Sequence, residues 1–352
     1  MILGLLLSAL GGGLDASQAL VMGLAKRWRW ESIWLVWALF GCVILPWAAA
    51  FLLLREPGPS VVDVFRYISH DTFVQVFIFG AGWGIGAILF GLGAVRVGMG
   101  LGLGITVSLT AANGALLPLV HKNRELLMSP QAGIIYLAVG LLVLGIILCS
   151  LAAHRRPDEK PLLERESTNF GVGVLCCIAS GFTSPLINLA IGAGLEINKA
   201  AEQLGASALA AGMAPVALIM TAGFVVNAIY CTYLLIRNRS WRDFAEPRAA
   251  SHWFYGALMG LLQMSAFLIY LKATSYIDAS AASATGASKH LGGEVLGWPV
   301  YTASMILVGN LEGLMRGEWK GSDRRTLLLL ALGLMLLAAA SSVVAGFGSY
   351  LG

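Results

Sequence analysis

Ten apolar runs of membrane-crossing length, separated by short polar gaps, set the pattern of this chain. A bilayer core about 30 Å thick needs roughly 20 apolar residues per helix. The runs fall near 2–24, 32–54, 73–93, 98–120, 132–152, 170–190, 208–236, 251–276, 293–315 and 326–349. They predict an all-α integral membrane protein with ten transmembrane helices.

The polar gaps carry a second pattern. Those after the first, third, fifth, seventh and ninth runs hold 16 of the 23 basic residues: Lys26, Arg27, Arg29, Arg96, Arg155, Arg156, Lys160, Arg165, Arg237, Arg239, Arg242, Arg248, Arg316, Lys320, Arg324 and Arg325. Basic residues in short loops stay on the cytoplasmic side, so both termini are expected outside the cytoplasm. The gap from Ala153 to Asn169 is charged and marked by Pro157 and Pro161, which reads as a cytoplasmic linker. It divides the chain into blocks 1–152 and 170–352, each with five predicted helices. An odd number per block sends the second block into the membrane in the opposite orientation. The expected architecture is therefore two inverted five-helix repeats, with sites near the midplane where the halves meet.

Composition agrees with a membrane bundle: 58% of residues are apolar and 12% charged, against about a quarter charged in soluble domains. The net charge of +4 is explained by the alternating loops, without a nucleic-acid partner. The apolar segment Met1–Leu10 has no basic region before it, which fits an inserted helix better than a cleaved signal peptide. Cys42, Cys149, Cys176, Cys177 and Cys231 all fall inside apolar runs and lack metal or haem spacing. No Walker-type phosphate loop is present, no cofactor is implied, and any driving energy comes from a gradient.

The informative residues break the apolar pattern, because polar groups inside a span are costly and usually face a cavity. In the first helix, Gly11-Gly12-Gly13-Leu14-Asp15-Ala16-Ser17-Gln18 interrupts the run. Asp15 lies about 20 Å from the helix start at 1.5 Å per residue. It is either a proton carrier or a structural aspartate bonded to neighbouring hydroxyls. In the sixth helix, Ser180, Ser184 and Asn188 recur every four residues, with Thr183 beside them, and Pro185 breaks the helix among them. They line a cavity or bond helix to helix; interruptions of corresponding helices favour the cavity.

Asn113, Asn227, Gln263 and Asn310 are further amides inside spans, and Trp83 sits in mid-span rather than at an interface. A mid-span tryptophan among amides suits a sugar, whose C–H faces pack on the ring, and equally suits ordinary packing. Glu294 and Glu312 lie nearer the ends of the ninth helix and could also titrate. The short segment Gly194–Gly205 reads as an amphipathic helix at the outer surface. The segment 277–293, with Asp278, is a loop or an extension of its neighbouring helices.

At these residues the chain resembles the L-rhamnose–proton symporter family of the drug/metabolite transporter superfamily. The resemblance is carried by Lys26-Arg27-Trp28-Arg29-Trp30-Glu31 running to Ile44-Leu45-Pro46-Trp47, and by Phe79-Gly80-Ala81-Gly82-Trp83-Gly84-Ile85-Gly86. It continues through Gly98-Met99-Gly100, Gly102, the Ser180/Ser184/Asn188 spacing, Gln263 and Gly317-Glu318-Trp319 with Arg324-Arg325. It implies ten helices in two inverted repeats and proton-coupled import of L-rhamnose or a related monosaccharide across the bacterial inner membrane. The expected sugar-binding residues are Trp83, Ser180, Ser184, Asn188, Asn227 and Gln263; the expected coupling carboxylates are Asp15, Glu294 and Glu312. The alternative is a transporter of the same fold that moves another small solute, inward or outward. An enzyme would show paired catalytic carboxylates, a His cluster or a nucleophile motif at the membrane face, and none is visible.

Overall fold

A computed structural model describes residues 2–25, 27–55, 58–66, 68–98, 101–110, 113, 130–155, 169–246, 249–285, 293–317 and 319–348. Among these, every regular element is helical: α1 (Ile2–Ala16), α2 (Gln18–Met22), α3 (Trp30–Leu39), a π-turn (Phe40–Ile44), α4 (Leu45–Leu53), α5 (Val61–Arg66), α6 (His70–Val97), α7 (Leu101–Thr110), α8 (Pro130–His154), α9 (Phe170–Thr183), α10 (Leu186–Ala193), α11 (Leu195–Gln203), α12 (Ala208–Asn238), a 3₁₀ turn (Ser240–Ala245), α13 (Ala249–Thr285), α14 (Gly293–Met315) and α15 (Arg324–Gly348). Six helical stretches among the described residues are long and apolar enough to cross a membrane: Ile2–Met22, Trp30–Leu53, His70–Val97, Phe170–Gln203, Ala208–Asn238 and Ala249–Ile277. Large apolar side chains face outward, with Ile229 67% and Ile236 71% exposed. Such a surface needs lipid as its solvent, and a helix suits lipid because it pairs its backbone groups internally.

Three spans are broken, each for a local reason. Between α1 and α2 the Ser17 hydroxyl donates back to the Gly13 carbonyl at 2.8 Å. Such back-bonding competes with the helical ladder. Between α3 and α4 the chain widens into the π-turn, where the Leu45 N–H reaches the Phe40 carbonyl. Pro46 follows at once and has no N–H to give to the preceding turn. Between α9 and α10, Pro185 leaves the Gly181 carbonyl without its helical donor. The Asn113 side-chain amide supplies one instead, at 3.1 Å.

The chain divides into two compact units. The first comprises Met1–Ala19, Leu89–Phe182 and Ser265–Gly352. In it α1 runs parallel to α14, with the Ser304 hydroxyl on the Ala9 carbonyl and the Arg316 guanidinium on the Ala19 carbonyl. It runs antiparallel to α13, Gly4 meeting Ile277 and Gly11 meeting Ala266. α9 lies parallel to α7, through Thr106 on the Cys177 carbonyl and Leu109 on Gly181, and antiparallel to α6, through Gly173 on Arg96 and Cys177 on Gly93. α8 and α15 are antiparallel, with Gly145 against Leu337 and Cys149 against Gly333. Asp323 caps α15 by accepting from the Thr326 N–H at 3.0 Å. Hydrogen bonding from Thr326 holds the Asp323 carboxyl below the usual carboxylate range.

The second unit comprises Leu20–Ile88 and Thr183–Met264. Here α12 is the buried centre. α6 packs parallel to it, with Gly80 on Ile219 and Gly84 on Gly223. α3 and α4 pack antiparallel, Trp34 meeting Asn227 and Trp47 meeting Thr221. α3 lies parallel to the first half of α13, Val36 against Gly256 and Gly41 against Gly260. A Cβ on Gly84 would lie 2.7 Å from the Gly223 backbone, so only glycine permits that approach.

The described segment of 277–293 extends the neighbouring helices: α13 continues through Asp278 to Thr285, and α14 begins at Gly293. Residues 286–292 lie outside the described residues, as does most of the 153–169 linker. The amphipathic segment Gly194–Gly205 forms α11, whose Ile197 and Ala201 are buried. Its Glu196 carboxylate accepts from the Ser69 N–H and hydroxyl and from the Thr72 hydroxyl, which anchors the start of α6.

Candidate functional site

Within the second unit, three of the six sugar-site residues expected from sequence, Trp83, Ser184 and Asn227, lie at or beside residues 83–86 of α6. Gly86 lacks a side chain, and its Cβ position lies 2.8 Å from the Thr183 hydroxyl and 3.1 Å from the Ser184 hydroxyl. Trp83, one turn earlier, lays its ring edge against Gly223 of α12 and is half-buried. Asn188, four residues past Ser184 on α10, is exposed. Gln263 reaches toward Gly41 of the π-turn, where α3 and α13 meet.

Asn227 is fully buried, and its amide is committed to protein. Its Oδ1 accepts from the Trp34 indole N–H at 2.8 Å. Its Nδ2 donates to the carbonyls of Gly223 at 2.8 Å and Gly84 at 3.3 Å. One amide therefore ties α3, α6 and α12 together at a single level. Ser180 belongs to the first unit and is buried in α9.

The carboxylates expected to couple protons belong to the first unit. Asp15 sits at the break after α1. Its Oδ2 accepts from the Tyr301 hydroxyl at 2.9 Å, and its Oδ1 accepts from the Gln18 amide. The approach of α14 that brings Tyr301 there depends on Gly12, whose Cβ would overlap the Tyr301 carbonyl. Glu312 is buried on α14 beside the Ser17 hydroxyl, one turn before Arg316. Glu294 lies in the first turn of α14, and its side chain is outside the described residues. Asn310 donates back to the Ile306 carbonyl at 2.9 Å.

Two residues escaped sequence reasoning. Tyr301 is one, although a tyrosine hydroxyl inside a span needs a partner and could have been matched to a buried carboxylate. Trp37 is the other, hidden among the many tryptophans of the Trp28–Trp47 segment. Described residues whose regular elements are all helical, with a lipid-type exterior, broken spans and polar groups at the breaks, define a polytopic membrane protein of the transporter class. Residues 1–349 match the family described as L-rhamnose-proton symport protein (RhaT), and the chain belongs to that family. It is similar to the L-rhamnose-proton symporter of Klebsiella pneumoniae (strain 342), 29% identical over 326 residues that cover 91% of this chain and 90% of the relative. The L-rhamnose-proton symporter of Salmonella enteritidis PT4 is 28% identical over the same length and coverage. That of Yersinia pestis (strain Pestoides F) is 27% identical over 351 residues, covering 98% of this chain and 97% of the relative. The family is one of transporters rather than enzymes.

Proposed function

We propose that this protein imports L-rhamnose or a closely related monosaccharide together with protons across the bacterial inner membrane. The observation that carries the reading is the family match over nearly the whole chain. Within the second unit the sugar site comprises Trp83, Ser184, Asn188 and Gln263, with Asn227 holding α3, α6 and α12 in register behind them; Ser180, in the first unit, is a further candidate. Asp15 is the leading coupling group, with Glu312 and Glu294 as further carboxylates of the same half of the chemistry. No nucleic acid takes part.

The architecture in this reading is ten spans in two inverted repeats, 1–152 and 170–352, joined by the cytoplasmic linker 153–169, with both termini outside. The spans are, in order, α1–α2, α3–α4, α6, α7, α8, α9–α10, α12, α13, α14 and α15. Support comes from packing direction. Spans that cross in succession alternate in direction, so two odd or two even spans should lie parallel and mixed pairs antiparallel. Spans 1 and 9, 4 and 6, 3 and 7, and 2 and 8 are parallel; 1 and 8, 3 and 6, 2 and 7, and 5 and 10 are antiparallel. Exchanging each span with the one five places away turns pair 1–9 into 6–4, 1–8 into 6–3 and 2–8 into 7–3. Each product is itself a packed pair, as an inverted repeat requires.

The test is counterflow in proteoliposomes loaded with unlabelled L-rhamnose and offered labelled L-rhamnose, with other monosaccharides as competitors. The expected result is transient accumulation of label that rhamnose and its near relatives suppress. Absence of exchange with every monosaccharide would refute the reading.

A further inference from the structure

Three tryptophans of α3, at Trp30, Trp34 and Trp37, form a ladder with ring centroids 5.0 and 4.4 Å apart. Spacings of four and three place them on one helix face. Trp34 is held by Asn227, as described above. Trp37 is different. It is only 5% exposed, yet its indole N–H has no hydrogen-bond partner among the described residues.

The Gln263 amide oxygen is in the same condition: buried, an acceptor, and without a partner among the described residues. Both atoms lie beside Gly41. The Cβ position of Gly41 lies 2.8 Å from Gln263 Oε1 and 3.6 Å from Trp37 Nε1. Gly41 lies in the π-turn Phe40–Ile44, and Gly260 lets α13 come close enough for Gln263 to reach it. π-Turns inside helices recur at functional sites. The indoles of Trp28 and Trp30 also lack hydrogen-bond partners among the described residues, and the side chains in ring contact with them are aromatic: Phe244, His252 and Trp253 for Trp28, Trp34 and Tyr230 for Trp30. At Gly41 a donor and an acceptor are orphaned side by side.

A hydroxyl group both donates and accepts, so a single hydroxyl complements this pair. We propose that Trp37 and Gln263 together read one ring hydroxyl of the transported sugar, Gln263 Oε1 accepting its proton and the Trp37 indole N–H donating to its oxygen. This rests on the sugar-transport reading and adds Trp37 and the pairing to it. The pair is specificity-determining: a sugar without that hydroxyl leaves two buried polar groups unmatched, which a site built on hydrogen bonds rejects strongly. An unmatched buried pair also burdens the empty protein, since replacing an orphaned polar group by an apolar one of similar shape is neutral or stabilising. Binding and stability should therefore move in opposite directions.

The experiment uses the full-length protein, with melting temperature and sugar binding measured on the purified form and counterflow in proteoliposomes. The ligands are L-rhamnose and its monodeoxy analogues. Wild-type protein is expected to discriminate against one monodeoxy analogue far more than the others. Gln263→Leu should melt at or above the wild-type temperature, bind L-rhamnose about tenfold more weakly, and lose discrimination at that position alone. Trp37→Phe, which keeps an aromatic ring but removes the N–H, should lose discrimination at the same position. Gln263→Leu melting well below wild type would make Gln263 a structural amide and overturn the proposal. So would loss of discrimination at different hydroxyls in the two variants, or unchanged discrimination in either. Wild-type protein that exchanges no monosaccharide refutes the transport reading itself; wild-type exchange with unaltered variants refutes only this pairing.

Discussion

In the proposed inverted repeat, α1–α2 and α9–α10, the first and sixth spans, take corresponding places, and both are broken, but by different means. In the first, three glycines and the back-bonding Ser17 loosen the helix without a proline. The break presents a carboxylate, Asp15, already holding hydrogen bonds from Tyr301 and Gln18. In the sixth, Pro185 removes a donor outright, and the neighbouring groups are neutral: Thr183, Ser184 and Asn188. A titratable break and a neutral break suit different work. The first can hold or release a proton, while hydroxyls and an amide bond to a sugar without changing charge.

The largest effect should come from the titratable break. Asp15→Asn preserves size and hydrogen-bonding capacity but cannot carry a proton. It should abolish accumulation driven by an inward proton gradient, while exchange at equal concentrations stays within about a few-fold of wild type. Uptake with and without an imposed gradient measures both quantities. Accumulation that survives would make Asp15 structural and move the coupling role to Glu312, to be checked in Glu312→Gln.

At the neutral break, Asn188→Ala should weaken L-rhamnose binding by about tenfold, the value of roughly one hydrogen bond and the unpaired partner left behind. Calorimetric titration of the purified protein reads this, and the amount of folded protein should change little because Asn188 is exposed. Unaltered affinity would remove Asn188 from the site. The gradient response of this variant should stay intact, in contrast with Asp15→Asn.

The smallest expected change is at the hinge of the neutral break. Pro185→Ala returns an N–H that can reach the Gly181 carbonyl and compete with the Asn113 amide. Healing the helix should leave the melting temperature unchanged or raise it, while the rate of exchange falls several-fold as the break loses its freedom. Faster exchange in the healed variant would show that the interruption is not part of the transport cycle.

How much of this was legible beforehand depends on how local each cause is. Both breaks were readable, because Pro185 and the Gly11–Ser17 run act on their own turn of helix. The partners were not. Tyr301 lies 286 residues from Asp15, and Asn113 lies 68 residues from the Gly181 carbonyl it occupies. The sequence marked Asn227 as a polar residue in a span but could not tell a substrate amide from one whose bonds go to Trp34, Gly84 and Gly223. The fate of 277–285 was undecided because its Ala and Ser residues suit a loop and a helix alike; in the structure it continues α13.

By itself, then, the sequence determined the apolar runs, where they break and which residue types sit at the breaks. Those are set by transfer of side chains into lipid and by backbone chemistry within one turn. Only the tertiary structure decided which polar groups are used up and which are left over. A hydrogen bond joins whatever packing brings within about 3 Å, and here packing depends on glycine contacts such as Gly12 with Tyr301, Gly84 with Gly223 and Gly41 with Gly260. The unmatched pair at Trp37 and Gln263 lies where the Gly41–Gly260 contact brings the π-turn after α3 against α13.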